Sequence, residues 1–185
     1  MFEIRWHSRA GQGAVTGAKG LAEVVSTTGK HVQAFAFYGS AKRGAAMTAY
    51  NRVDEKRIIN HEKFMSPDYV LIIDPALIHT ADFTAFEKPE TKYIITTHLT
   101  KEELVKSQPI LEGKELYTVD CMHIAMETIG RAIPNTPMLG ALMKISGMYE
   151  IDFFKESMLN VLKKFPQKII DANMNAIQRA YDEVI

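Results

Sequence analysis

Only one cysteine, Cys121, occurs in this chain of 185 residues. A lone thiol closes no internal disulfide, which fits a cytoplasmic protein. It also cannot supply the roughly four thiolates that hold an iron–sulfur cluster. Cys121 is therefore expected as a small buried apolar residue. The six histidines, His7, His31, His61, His79, His98 and His123, include no i, i+4 pair, so no zinc site is expected. His7 and His98 are read as structural. An excess of either charge is missing too: 22 basic residues balance 22 acidic ones. That argues against a nucleic-acid binder, which carries a basic surplus. No apolar run approaches a membrane span of about 20 residues. The opening Met1-Phe2-Glu3-Ile4-Arg5 has no signal-peptide pattern.

What the sequence does have is a glycine turn at its start. Ile4-Arg5-Trp6-His7-Ser8-Arg9 reads as a strand, Ala10-Gly11-Gln12-Gly13 as a turn and Ala14-Val15-Thr16-Gly17 as the first turn of a helix. Such a turn aims backbone N–H groups and the positive helix end at an anion. Two nucleotide-binding patterns are absent. A dinucleotide fold wants G-x-G-x-x-G and an acidic residue about twenty positions later. Here Gly11, Gly13 and Gly17 are spaced one residue too long, and the second strand ends at Tyr38-Gly39 without a carboxylate. No stretch fits the Walker A pattern. The turn also brings no nucleophile–base pair, so it reads as a binding device.

Periodicity gives the rest of the order. A helix over 14–28 carries Val15, Ala18, Leu21, Ala22 and Val25 on one face and stops at Gly29. Strands at 32–37 and 46–53, joined by a short polar loop, form an antiparallel pair. Apolar strands follow at 69–74 and 93–97, then a short helix near 101–105 and a strand over 115–119. The last third reads as helical. Asp120 caps one helix; Thr136 and Pro137 start another, with Thr136 as cap, ended by Gly147; a third carries Phe153, Leu159, Leu162 and Phe165; the last shows Ile170, Met174, Ile177, Tyr181 and Val184 at 4, 3, 4, 3 spacing. The expected fold is one domain over 1–185: a three-layer α/β/α arrangement with a mixed, mostly parallel sheet and a helical C-terminal third. Ligands gather at the carboxyl ends of strands in such sheets, where the 9–13 turn and the 38–44 loop both lie.

Several stretches in order resemble one family, the gamma subunits of pyruvate:ferredoxin oxidoreductase and related 2-oxoacid:acceptor oxidoreductases. They are Arg5-Trp6-His7-x-Arg9-Ala10-Gly11-Gln12-Gly13-Ala14, Val32-Gln33-Ala34-Phe35, Tyr38-Gly39 with Arg43-Gly44-Ala45, Asn135-Thr136-Pro137-Met138-Leu139-Gly140-Ala141, and Phe165-Pro166 followed by Ile170-Asp171-Ala172-Asn173. The resemblance covers almost the whole chain. It implies a subunit, itself noncatalytic, of a complex that oxidatively decarboxylates pyruvate or a relative with coenzyme A, giving acyl-CoA, carbon dioxide and two electrons for ferredoxin or flavodoxin. Thiamine diphosphate, magnesium and iron–sulfur clusters would sit in partner subunits, with none bound by this chain alone, while coenzyme A is a candidate co-substrate at its surface.

Two stretches depart from that family pattern. Ser8 and Ala10 stand where the family often has glycine. Ala41 stands where its loop commonly has glutamate, and Lys42 follows, so the loop is more positive. The candidate cofactor-binding residues are Arg9, Gly11, Gln12, Gly13, Lys42 and Arg43; no catalytic and no metal-binding residue is assigned. Arg43 offers a bidentate fork to phosphate and Lys42 a point charge. Phe37 and Tyr38 flank the same loop as ring surfaces for an adenine or an interface. Ten methionines and neutral charge suit a permanent interface with larger subunits, or self-association when isolated. Two alternatives stay open: a standalone small α/β nucleotide-binding protein, and a pure assembly scaffold.

Overall fold

The computed structural model describes residues 1–38, 45–60, 62 and 66–185. Six strands form one sheet: β1 (Phe2–Arg9), β2 (His31–Tyr38), β3 (Ala46–Asp54), β4 (Tyr69–Ile72), β5 (Lys92–Thr96) and β6 (Glu115–Val119). Their order across the sheet is β2-β3-β1-β4-β5-β6. β2 and β3 pair antiparallel, as do β3 and β1, while β1, β4, β5 and β6 run parallel. The sheet is thus mixed and mostly parallel, as the pattern of short apolar strands implied.

Among the described residues six α-helices accompany the sheet: α1 (Ala14–Ser26), α2 (Lys101–Ser107), α3 (Cys121–Thr128), α4 (Asn135–Ser146), α5 (Ile151–Leu162) and α6 (Gln167–Glu183). Their termini follow local chemistry. Thr100 and Glu103 form a reciprocal capping box at α2. Asp120 accepts from the His123 N–H at the start of α3. Gly147 ends α4 in the left-handed conformation.

The two faces of the sheet are covered unequally. One large core joins Ile4, Trp6, Ala49, Leu71 and Ile94 of the sheet to Leu21 of α1, Ile124 of α3, Leu142 of α4, Phe154 of α5 and Ile177 of α6. A smaller core on Val70, Ile72, Tyr93 and Ile95 is closed by Leu104 of α2, Leu111, and Ile78 and Phe83 of the segment after β4. A polar network is buried inside the larger core. Trp6 Nε1 donates to Asn51 Oδ1 at 2.9 Å, and Asn51 Nδ2 donates to the Ala18 carbonyl at 2.8 Å. It ties β1, β3 and α1 together with each of these groups satisfied.

Several helix details differ from the periodicity reading. The buried face of α1 is Ala14, Gly17, Ala18, Gly20, Leu21, Val24 and Val25, so Val15 and Ala22 sit at its margin. Glycines carry the difference: a Cβ on Gly17 would lie 3.2 Å from the Trp6 ring, and one on Gly20 3.8 Å from Met158. Hydrophobic counting gives glycine no weight, so it rotates the stripe. α4 begins at Asn135 with Pro134 at the cap position, so Thr136 and Pro137 lie inside the helix and Thr136 is no cap. On α5 the buried residues are Phe154, Ser157 and Met158, whereas Phe153 and Leu159 face outward. Cys121 is fully buried, and that burial pushes its thiol pKa up.

Candidate functional site

β1 is where the sheet order turns: α1 leads from it toward β2 on one side, and β4 lies beside it on the other. The carboxyl end of β1 is therefore a topological switch point, where open α/β sheets leave a crevice. The glycine turn occupies that position. Gly11 and Gly13 both have positive φ, 100° and 87°. Gln12 N–H donates to the Arg9 carbonyl at 3.2 Å, closing the turn, and Ala10 N–H donates to the Ala45 carbonyl at 3.2 Å.

The two glycines serve different ends. A Cβ on Gly13 would lie 2.8 Å from Asn135 Cγ, so this glycine lets α4 pack against the turn. A Cβ on Gly11 would meet nothing within 4 Å among the described residues. Gly11 thus forms the open lip of the turn. Beside it is a hollow of about 220 Å³ lined by Gly11, Gly13, Ala14, Thr16, Tyr38 and Met47. The N-terminus of α1 opens here, with no side-chain cap hydrogen bond at Gly13. Its first N–H groups have no intrahelical acceptor, which makes this the positive end of the helix dipole.

Asp74 organises the side chains of the turn. It lies just beyond β4 and is 8% exposed. Its Oδ2 accepts from Arg9 Nε at 2.9 Å and from Gln12 Nε2 at 2.9 Å, while its Oδ1 accepts from Ala76 N–H at 2.9 Å. Gln12 Oε1 in turn accepts from Arg9 N–H at 2.8 Å and from Ser8 Oγ at 3.1 Å. The Gln12 amide is thus spent on the turn and on Asp74, and the Arg9 charge is partly offset there. Arg9, Gly11, Gln12 and Gly13 are brought together as the sequence implied. Lys42 and Arg43 lie outside the described residues.

Asp74 and Asn135 were not singled out as site residues from sequence. A signal existed for Asp74: a carboxylate ending an apolar strand just before Pro75. For Asn135 the helix-start pattern suggested only capping. On the opposite face of β1, Arg5 donates to the carbonyls of Phe83 at 2.6 Å and Ala85 at 3.1 Å, holding the segment after β4. Phe35 stacks on Tyr50 with centroids 5.1 Å apart, and Phe37 meets Tyr50 edge-on at 5.8 Å. Phe37 and Tyr50 border a second hollow of about 330 Å³, which Arg5, His7 and Tyr38 also line. Phe37 and Tyr38 are 47% and 65% exposed, so both keep ring surface available at the sheet end.

Among the described residues no group of three or more His, Cys, Asp or Glu side chains could hold a metal ion. The single thiol is enclosed in the core. No described helix is long and apolar enough to cross a membrane.

Fold and turn together define a small mixed-sheet α/β protein with a glycine turn at the switch point. Comparison with known proteins narrows this. The family model for pyruvate ferredoxin/flavodoxin oxidoreductase matches residues 3–183. The chain is 40% identical to pyruvate synthase subunit PorC of Thermotoga maritima over 184 residues, covering 99% of this chain and 94% of that one. It is also 40% identical to the pyruvate/ketoisovalerate oxidoreductases common subunit gamma of Pyrococcus abyssi, covering 99% and 97%. The crystal structure of the Thermotoga maritima pyruvate oxidoreductase subunit PORC superposes with a TM-score of 0.84 at 38% identity, covering 100% of this chain and 97% of that one. This chain belongs to the pyruvate ferredoxin/flavodoxin oxidoreductase family.

Proposed function

We propose that the chain is the gamma subunit of a 2-oxoacid:acceptor oxidoreductase complex acting on pyruvate or a related 2-oxoacid in the cytoplasm. The whole-length match to relatives named as such subunits carries this reading. In it, thiamine diphosphate, magnesium and the clusters belong to partner chains, and ferredoxin or flavodoxin takes the electrons. Thiamine supplies the decarboxylation chemistry there. This chain contributes assembly and a surface for the phosphates of coenzyme A.

Support for the coenzyme A role lies in the open lip at Gly11, the uncapped start of α1 and the adjoining hollow. In this reading Arg43 and Lys42 supply the positive charge, because Arg9 is already engaged by Asp74. That engagement also favours a second reading, a scaffold without ligand, since it leaves the 9–13 turn little side-chain charge of its own. The test is to purify the tagged chain from its native cell. Co-purification with larger subunits, together with no pyruvate-dependent viologen reduction by the isolated chain, is the expected result. Turnover by the isolated chain, or its recovery only as a free monomer, would overturn the reading.

A further inference from the structure

We propose that the corner between α5 and α6 docks an acidic surface on a larger chain of the same complex, an inference that rests on the reading of this protein as a subunit. Residues 163–169 are all exposed and contain Lys163, Lys164 and Lys168 without any acidic residue. Elsewhere Lys30, Lys88, Lys92, Lys114 and Lys155 pair with carboxylates. Lys163, Lys164 and Lys168 form no ion pair among the described residues. Asp171, the nearest carboxylate in sequence, is engaged by Gln167 Nε2 at 2.7 Å.

Two further features make this corner more than a solvated lysine run. Lys168 lies in the first turn of α6, which has no acidic residue and no side-chain cap. A cation at a helix N-terminus opposes the helix dipole, so the corner carries a local electrostatic cost that a carboxylate from outside would relieve. Exposed apolar side chains lie in the same segment as the lysines or just before it. Phe165 is 44% exposed, Ile169 39% and Leu159 43%, and Lys164 Nζ sits 5.7 Å from the Phe165 ring centre. Leu159 and Leu162, three residues apart, share the helix face leading into this turn. An apolar centre with a charged rim is the anatomy of a protein interface. The uniform sign of the rim selects an acidic partner and steers its approach.

The test uses the native complex. A zero-length carbodiimide joins lysine amines to carboxylates in contact, and mass spectrometry identifies the linked peptides. Links from Lys163, Lys164 or Lys168 to Asp or Glu of a larger subunit are expected, with slower acetylation of these lysines in the complex than in the free chain and Lys106 as an unchanged reference. The combined variant K163E/K164E/K168E should weaken assembly roughly tenfold or more at low salt, and less at high salt, because rim charges act mainly through screened fields. Circular dichroism checks its folding, and K163Q/K164Q/K168Q provides a milder series. If the chain co-purifies with larger subunits but the three lysines react equally in both states, the docking proposal fails and the subunit reading stands. Links only within this chain, or to a second copy, also overturn it. If no complex forms at all, both fail together.

Discussion

A Cβ on Gly13 would stand 2.8 Å from Cγ of Asn135, so a side chain at residue 13 would force the Asn135 side chain at the start of α4 to shift. The φ of 87° at Gly13 adds a second reason for glycine. Gly13→Ala should therefore lose stability on both counts. The left-handed conformation alone costs an L-residue about 1–2 kcal/mol, and overpacking adds roughly 1–3 kcal/mol. Asn135→Ala in the same background should recover the packing part only. Urea unfolding of the two single variants and the double variant measures this; strict additivity would show that the contact is not the constraint.

Gly140 of α4 answers to a different neighbour. A Cβ there would lie 2.0 Å from the Ile177 carbonyl oxygen of α6, which is backbone and cannot rotate away. Gly140→Ala should destabilise the protein although alanine gains about 1 kcal/mol of helix propensity over glycine. Overpacking of up to about 3 kcal/mol, less that gain, leaves a net loss of up to about 2 kcal/mol. A rise in melting temperature would show that the helices can part without cost.

Asp74 holds the turn through Arg9, Gln12 and Ala76 N–H. Asp74→Ala leaves all three donors without this acceptor and should cost about 2 kcal/mol, since a hydrogen bond involving a charged group contributes roughly 1.5–3 kcal/mol and the half-open Arg9 pair is discounted for screening. Arg9→Ala should cost clearly less, because Asp74 keeps its other two donors. Denaturant unfolding of both variants ranks them, and the reverse order would show that Asp74 does not organise the turn.

Glu87 makes the acid limb of stability testable. Burial opposes its ionisation, but hydrogen bonds from Lys114 and Tyr93 together with the charges of Lys114 and Arg5 hold its pKa below the usual carboxylate range. A depressed folded pKa stabilises the protein above the unfolded value, about 4.3, and the benefit is lost as pH falls through the folded value. Glu87→Gln should narrow the stability difference between pH 7 and pH 3 relative to the unaltered chain. An unchanged difference would show that Glu87 does not contribute to it.

The sheet was legible because its strands are short apolar runs bounded by turn residues, as at 69–72 and 115–119. The antiparallel pair β2–β3 followed from the short loop between two extended segments. The glycine turn was legible from spacing, and its place at the switch point followed from the strand order. Asp74 was visible only as a carboxylate ending an apolar strand before Pro75; its pairing with Arg9, 65 residues away, was not. Asn135 was mistaken for part of a cap because Asn-Thr-Pro imitates one, whereas its structural role depends on Gly13 in another element. Phe153, Leu159 and Phe165 read as core by composition, yet all three face solvent. Composition and spacing alone do not tell an exposed apolar residue from a buried one.

The proposed contact of coenzyme A phosphates with the glycine turn, Lys42 and Arg43 is tested most directly by steady-state kinetics of the reconstituted complex. Coenzyme A and the 2-oxoacid are varied separately for Arg43→Ala, with assembly checked by gel filtration. One lost charge-assisted hydrogen bond of roughly 1.5–3 kcal/mol should raise the KM for coenzyme A about ten- to a hundredfold, since 1.4 kcal/mol is a factor of ten. Lys42→Ala should do less, because an ammonium gives no bidentate geometry. The KM for the 2-oxoacid should stay unchanged. Intact assembly with both constants unmoved by either substitution would contradict the claim and leave the chain as a scaffold.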